Sequence, residues 1–510
     1  MRRYFKGIGR NKILVAIIAA LSFIAAIFYN ELNRSALIET RSELLRCNQT
    51  VVTADDISYI RPAQNFIDGK GWKANSVGYS KYFLRPPGYG IFYAVFYWAF
   101  GYENGLKALK IAQVLLFTLS VFCFFHIANA LLKNIKISYF LTMMYGMTPF
   151  ASGFLYYTLS ESITPAFMLF YVFYLTKAAG QPKQNDKTRS YLYAALLLAF
   201  LILTRPVLAI FGTLLPVYLY HDYYRPGHLK MLLQKFLIFG CLSCSLIGCW
   251  EFRNYLIAGK YVGLHPIYFE DENSIFRPIH QGIWNFASGW GMTGQEFHGL
   301  IVPIWEAGIH GKEDATYIHN FIKAIPEYVI EEENMSTIKD AFESYHNTVA
   351  DQRYYYEKNI PMPAKLLVSE SIALEKFKNL ADHFRQKHLV IYFVTTPFKR
   401  FREMAFHSNL SLNVFQHKYR GNVFMEFLRL FFFVLHSLIF ILFLLNLILI
   451  KDLTGWMTFA FCLFIYIFFL IYFIGGLEER YTLPILPFLM IGSAYAVKVV
   501  IEKTRNFLQF

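Results

Sequence analysis

The sequence predicts an all-α polytopic membrane protein, and three observations carry that prediction. Of its 510 residues 55% are hydrophobic and 19% aromatic, gathered into repeated apolar runs of about 15 to 27 residues, each long enough for a helix to cross a bilayer. The short loops between runs collect Lys and Arg: Lys133 and Lys136; Lys177, Lys183, Lys187 and Arg189; Arg225, Lys230 and Lys235; and Lys498, Lys503 and Arg505 near the C-terminus. Two longer polar stretches, about 32–104 and 251–423, interrupt the apolar pattern.

The first run, Ile13 to Tyr29, follows Arg2, Arg3, Lys6, Arg10 and Lys12. It is longer than a usual signal-peptide core, and no A-x-A site follows it, so it reads as an uncleaved first span. With the basic loops in the cytoplasm, about ten spans result: 13–31, 106–130, 137–151, 162–176, 190–204, 207–221, 235–250, 424–450, 455–474 and 481–500. Both termini are then cytoplasmic, in a plasma (inner) membrane, and the two long polar stretches lie outside. The chain divides into a membrane core 1–250 that includes the first outer loop, an extracytoplasmic cap 251–423 and C-terminal spans 424–510.

In the first outer loop, Gly88 to Phe100 is apolar but only about 13 residues, too short for a ~30 Å core, so it is expected as a juxtamembrane helix. The cap is expected to be mostly helical, as in Lys365 to Phe384, where apolar residues recur at three- and four-residue spacing. Near its end, Lys399, Arg400 and Arg402 stand beside Phe398, Phe401 and Phe406. That segment reads either as an interfacial helix touching lipid phosphates or as an amphipathic helix packed on the cap.

The net charge of +14 is no sign of nucleic-acid binding, because the cap stretch Arg253 to Arg420 is nearly neutral, with 18 basic and 19 acidic residues, and the excess sits in the short loops. Five of the six cysteines lie in apolar runs, which leaves Cys47 alone in a loop and no disulfide framework. Cys241 and Cys244 mimic a C-x-x-C pair, but with no further ligands nearby they read as helix-packing residues. His126 and His436 read as packed core histidines. No internal repeat is present.

The polar residues that call for chemistry fall at the outer ends of spans. They are Asp55 and Asp56 at the start of DDISYIRP, Arg85 in RPPGYG, Glu161 in YYTLSES, Arg205 in LTRP, Arg253 and Asn254 in WEFRNYLIAGK, and Arg480 and Tyr481 in EERY. Each has a structural alternative: Thr53 or Asp55 as a helix cap, Glu161 as a dipole partner, the arginines as boundary charges. Together, carboxylates and arginines at one membrane face suit a reaction that deprotonates a hydroxyl and stabilises a departing phosphate.

In that pattern the chain resembles the GT-C superfamily of integral-membrane glycosyltransferases, and is similar to protein O-mannosyltransferases and aminoarabinose lipid A transferases. The resemblance rests on Asp55-Asp56 with Tyr59 and Ala63, on Arg85-Pro86-Pro87, on Glu161, on Trp250, Arg253, Asn254, Gly259 and Lys260, and on the EERYTLPILP stretch that begins at Glu478. It covers roughly residues 10–260 and 478–487. It implies a GT-C fold, a polyprenyl-phosphate sugar donor, an acceptor hydroxyl on a glycan, lipid or protein, and an inverting single displacement. By that resemblance Asp55 is the base, with Asp56 and Glu161 as acidic companions. Arg85, Arg205, Arg253 and Arg480 meet the donor phosphate, and Tyr59, Tyr82, Asn254 and Tyr481 line the substrate pocket. Arg85 stands where the family has Lys, and Asp56 where Glu is common. The pattern fixes no cofactor and leaves metal dependence open; Asp55, Asp56 and Glu161 offer oxygen ligands for a divalent cation. The competing functions are a transporter or flippase of a lipid-linked saccharide, and an undecaprenyl-diphosphate glycan polymerase or ligase.

Overall fold

The computed structural model describes residues 8–53, 55–74, 82–83, 85–224, 226, 229–259, 261–264, 277–312, 315–358, 360, 362–363, 365–406, 420–450, 455–474 and 479–507. Lys260 and Glu478 lie outside them. Six of the described helices are long and apolar enough to cross a membrane: Ile13–Thr40, Gly88–Leu132, Gln184–Thr204, Leu229–Ala258, Val423–Leu449 and Trp456–Phe473. The remaining expected spans fall on the helices Ile135–Met147, Thr164–Gly180, Leu214–Tyr223 and Leu486–Phe507.

Helix α1 (Ile8–Thr40) leads into a two-stranded antiparallel hairpin, β1 (Leu45–Arg46) and β2 (Thr50–Val51), turned by Cys47 and Asn48 at positive φ. Helix α2 (Asp56–Ile67) then packs on α3 (Gly88–Leu132), burying Ile60 and Ala63 against Tyr89, Tyr93, Leu106 and Leu109. Helix α3 is two helices joined at Gly101, whose φ of 71° and ψ of −164° break the ladder. Glycine reaches that conformation without a Cβ clash. The short juxtamembrane helix and the following span expected from sequence are the two halves.

Helices α4 (Ile135–Met147), α5 (Pro149–Ser152), α6 (Thr164–Gly180), α7 (Gln184–Thr204), α8 (Leu214–Tyr223) and α9 (Leu229–Ala258) follow, with a 3₁₀ stretch Pro206–Thr213 ahead of α8. Helices α17 (Val423–Leu449), α18 (Gly455–Phe469) and α19 (Leu486–Phe507) complete the membrane part. Their apolar side chains join those of α1, α3, α4, α6, α7 and α8 in one core, so the segments 1–250 and 424–510 are halves of a single body. Helix α9 is peripheral. Cys241, Cys244 and Cys249 are exposed on it, which corrects the helix-packing reading of the C-x-x-C pair. His436 is buried, its ring against Phe150 and Phe440.

The cap holds α10 (Pro278–Gly289), α11 (Gly294–Ile309), α12 (Ala315–Lys323), α13 (Glu327–Glu333), α14 (Met335–Glu357) and α15 (Val368–Lys387) around a core of its own. Arg277 leads into it, its guanidinium on both carboxylate oxygens of Glu370, which also takes Gln352 Nε2 at 2.9 Å. Helix α16 (Thr396–Ala405) carries the basic cluster near the cap's end, and its hydrogen bonds bear on its two readings. Thr396 Oγ1 and Lys399 Nζ donate to the carbonyls of Gly289 and Gly291 at 3.0 Å. Arg400 donates to Ser288 O at 2.8 Å and to Ile471 O at 3.1 Å. Lys399 and Arg400 each donate to backbone carbonyls, so α16 straps the cap to the membrane part, which favours the reading of a helix packed on the cap.

His280 of α10 is buried, with Nε2 2.8 Å from Tyr345 Oη. Burial, with the neighbouring His298 charge adding to it, pushes its pKa down from 6.5 to about 4. A depressed histidine contributes stability in full above its free pKa, and loses it as pH falls and only the unfolded chain takes up the proton. Thermal unfolding should therefore show stability falling between pH 6.5 and 4 by up to about 3 kcal/mol from this group. His280→Gln, which keeps a hydrogen bond available to Tyr345, should flatten that part of the pH profile.

Candidate active site

Helix α2 starts beside the membrane part, and its first turn separates the two adjacent acids. Thr53 Oγ1 accepts the Asp56 backbone N–H at 3.1 Å, so threonine supplies the cap, and Asp55 makes no side-chain cap bond. The Asp55 carboxylate faces two arginines instead. Arg85 Nη2 donates to Oδ1 at 2.5 Å and Arg480 Nη2 to Oδ2 at 2.8 Å.

Asp56 has other partners. Its carboxylate is 1% exposed; Arg46 of β1 donates to Oδ2 through Nε at 2.9 Å and Nη2 at 2.7 Å, and Thr158 Oγ1 adds a bond at 3.3 Å. Strand β2 bridges Val51 to Tyr157, so Asp56 anchors the start of α2 to the hairpin and the 150s loop.

Four chain breaks deliver the remaining groups. Arg85 precedes two prolines, and proline disfavours helical backbone at the residue before it. Gly88, which opens α3, lies so near α7 that a Cβ there would stand 2.6 Å from the Thr204 backbone nitrogen. Arg205 follows at φ −143° and ψ 101°, extended ahead of Pro206, and its Nη1 meets Glu161 Oε1 at 2.7 Å. Glu161 sits in the 3₁₀ turn Ser160–Ser162, is 4% exposed, and also takes Ser160 Oγ at 3.0 Å. Arg480, in the 3₁₀ turn Glu479–Thr482, reaches Glu161 Oε1 through Nε at 3.6 Å.

The result is a chain of alternating charge, Arg85, Asp55, Arg480, Glu161, Arg205, drawn from four separate stretches of sequence. Aromatic faces back it: Arg85 stands 5.2 Å from the Tyr59 ring, and Arg205 and Arg480 stand 5.1 and 5.7 Å from that of Tyr481. Tyr59 Oη lies 3.5 Å from Ser160 Oγ. Burial pushes both carboxyls up, but the paired guanidinium groups outweigh it: Arg85 and Arg480 hold Asp55 below its ordinary pKa, and Arg205 and Arg480 do the same for Glu161. Asp56 goes the other way, because burial outweighs Arg46. The charge chain holds three cations and two anions, an excess that favours an anionic ligand.

Arg253 stands apart from this chain. It donates to Tyr82 O at 3.1 Å, Trp72 O at 2.6 Å and Asn254 Oδ1 at 2.8 Å, and lies 4.5 Å from the Trp250 ring. Arg253, Asn254 and Tyr82 thus fasten the first loop to α9. A cation among Asp55, Asp56 and Glu161 also lacks support: each is paired with arginine, and among the described residues no three His, Cys, Asp or Glu side chains gather to hold a metal.

Two residues were not legible beforehand. Arg46 belongs to no motif, and nothing local distinguishes it. His298 is exposed on α11, and the Asp55 charge reaches its imidazole, so the cap comes up to the charge chain. Helix α11 is aimed by a capping box, Thr293 with Glu296, and the loop before it is strapped to α16, which packs on the turn that bears Arg480.

No protein-family model matches the sequence, and no curated protein matches it significantly. Among solved structures the chain is similar to two crystal structures of ArnT from Cupriavidus metallidurans, one in the apo state and one bound to undecaprenyl phosphate. Both are 13% identical to it, with a TM-score of 0.36; the match covers 96% and 97% of this chain and 78% of each of those.

Arg205→Met should leave Glu161 as a buried carboxylate short of its nearest counter-charge, at a cost of about 3–5 kcal/mol. Thermal unfolding would register the loss, and adding Glu161→Gln should restore part of it.

Proposed function

We propose that the protein is a GT-C-type glycosyltransferase that moves a sugar from a polyprenyl-phosphate donor to an acceptor hydroxyl. The observation that carries this reading is the Asp55 carboxylate held between Arg85 and Arg480 where the cap adjoins the membrane helices. A hydroxyl is too weakly acidic to attack unaided, so a carboxylate must take its proton as the new bond forms. The phosphate leaving group gathers negative charge as its bond to the sugar breaks, and fixed guanidinium groups stabilise that charge.

In this reading the acceptor oxygen attacks the anomeric carbon, its proton passes to Asp55, and the electrons of the breaking C–O bond go to the phosphate. A single displacement of this kind inverts the anomeric configuration. Arg85 and Arg480 meet the phosphate. Arg205 and Glu161 lie behind them and hold Arg480 in place, and the Tyr59 and Tyr481 rings back the arginines. A donor with an isoprenoid tail keeps that tail in lipid, which accounts for a site at the ends of membrane helices. By the charge of the short loops the chain crosses the plasma membrane about ten times, with both termini in the cytoplasm and the site on the extracytoplasmic face. The cap, through α11 and α16, closes the site from above and faces the acceptor.

The test is transfer in reconstituted membranes from a panel of polyprenyl-phosphate sugars. Asp55→Asn should lower the rate by about 10²–10⁴, as for loss of a general base. Retained transfer in folded Asp55→Asn would remove Asp55 as the base. Absence of transfer with every donor, together with movement of a lipid-linked saccharide across the bilayer, would favour the flippase.

A further inference from the structure

The Asp55 carboxylate gives one oxygen to each of two guanidinium groups, Oδ1 to Arg85 at 2.5 Å and Oδ2 to Arg480 at 2.8 Å. Two guanidinium groups turned on one small oxyanion are also the arrangement that grips a phosphate. Neither arginine needs Asp55 to keep its place. Arg85 also donates from Nε to Ser58 Oγ at 3.2 Å and lies against the Tyr59 ring, while Arg480 has Glu161 at 3.6 Å and the Tyr481 ring. Asp55 is tied less firmly. Thr53 has relieved it of the helix cap, and at 30% its side chain is the most exposed of the three site carboxylates.

We propose that the Asp55 carboxylate sits in the anion position, between Arg85 and Arg480, that the donor phosphate takes up, so that phosphate binding displaces Asp55 and thereby frees it to act as the base. This rests on the polyprenyl-phosphate reading above. The exchange swaps one oxyanion for another on the same pair of cations; no bond is made or broken, and no proton moves. While both its oxygens are engaged, Asp55 is a poor proton acceptor. Released, it keeps its charge but loses two charge-assisted hydrogen bonds, and its basicity rises. The groups that face it are Arg85 and Arg480 and, from the cap, His298; Ser58 Oγ is spent on the Asp55 backbone carbonyl at 2.5 Å. The base would then be armed by the donor, and the donor would bind before the acceptor is deprotonated.

A site occupied by the protein's own carboxylate binds its ligand more weakly by the fraction of time it stands open. The experiment titrates the full-length protein in nanodiscs with undecaprenyl phosphate, which carries the phosphate without the sugar, and uses undecaprenol as the tail-only control. Asp55→Asn and Asp55→Ser remove the competing charge in two ways and should each tighten phosphate binding about tenfold, while Arg480→Gln should weaken it. Undecaprenol affinity should not change. Unchanged or weaker binding in both Asp55 variants, with Arg480→Gln still weakened, would overturn the exchange and leave the donor class intact. Undecaprenyl phosphate binding no better than undecaprenol, in the wild type and every variant, would overturn the donor class and the exchange with it.

Discussion

A carboxylate removed from water beside a membrane core is tolerated only if cations replace its hydration, and the site follows from that constraint. Glu161 is almost wholly buried, and it pairs with Arg205 at 2.7 Å while also engaging Arg480. Arg480 also donates through Nη2 to Asp55, which in turn draws in Arg85. Four stretches of chain that are remote in sequence are thus held together by charge. Without Glu161, the C-terminal turn that bears Arg480 would lose its tie to the α7 break.

The same logic distinguishes two acids that look equivalent as neighbours in sequence. Asp56 is satisfied by Arg46 and Thr158, away from the chain of alternating charge, and its pKa is raised. Asp55 is held low by two arginines and retains some exposure. Of these two acids, Asp55 is the one that keeps the exposure a proposed general base needs to reach substrate. Asp56 serves it indirectly, by fixing the start of α2 to the hairpin and the 150s loop.

The cap contributes position as much as bulk. Its core is separate from that of the membrane helices, yet α16 ties the two through Arg400, which bonds Ser288 on one side and Ile471 on the other. That strap sets the loop before α11, and α11 carries His298 into the field of Asp55. Residues 396–405 drew attention in the sequence by their charge. Their partners are backbone carbonyls, which a pattern of charges cannot name.

What the sequence determined by itself was the material of the fold. Apolar run lengths placed the helices, the short apolar stretch at 88–100 foretold the break at Gly101, and local amphipathic spacing placed α15. It also supplied the acids and arginines of the site, since Asp55, Arg85, Glu161, Arg205 and Arg480 all stand at helix ends beside prolines or short turns. Such signals are local, because helix formation depends on neighbours three and four residues apart. Which arginine meets which acid was decided only in the tertiary structure. Arg253 carries the same charge as Arg480 and stands at a similar boundary, but it is consumed by the carbonyls of Trp72 and Tyr82, while Arg480 reaches Asp55 across 425 residues of chain. A guanidinium takes any well-placed acceptor, so its partner depends on how the helices pack and which chain ends that packing brings together.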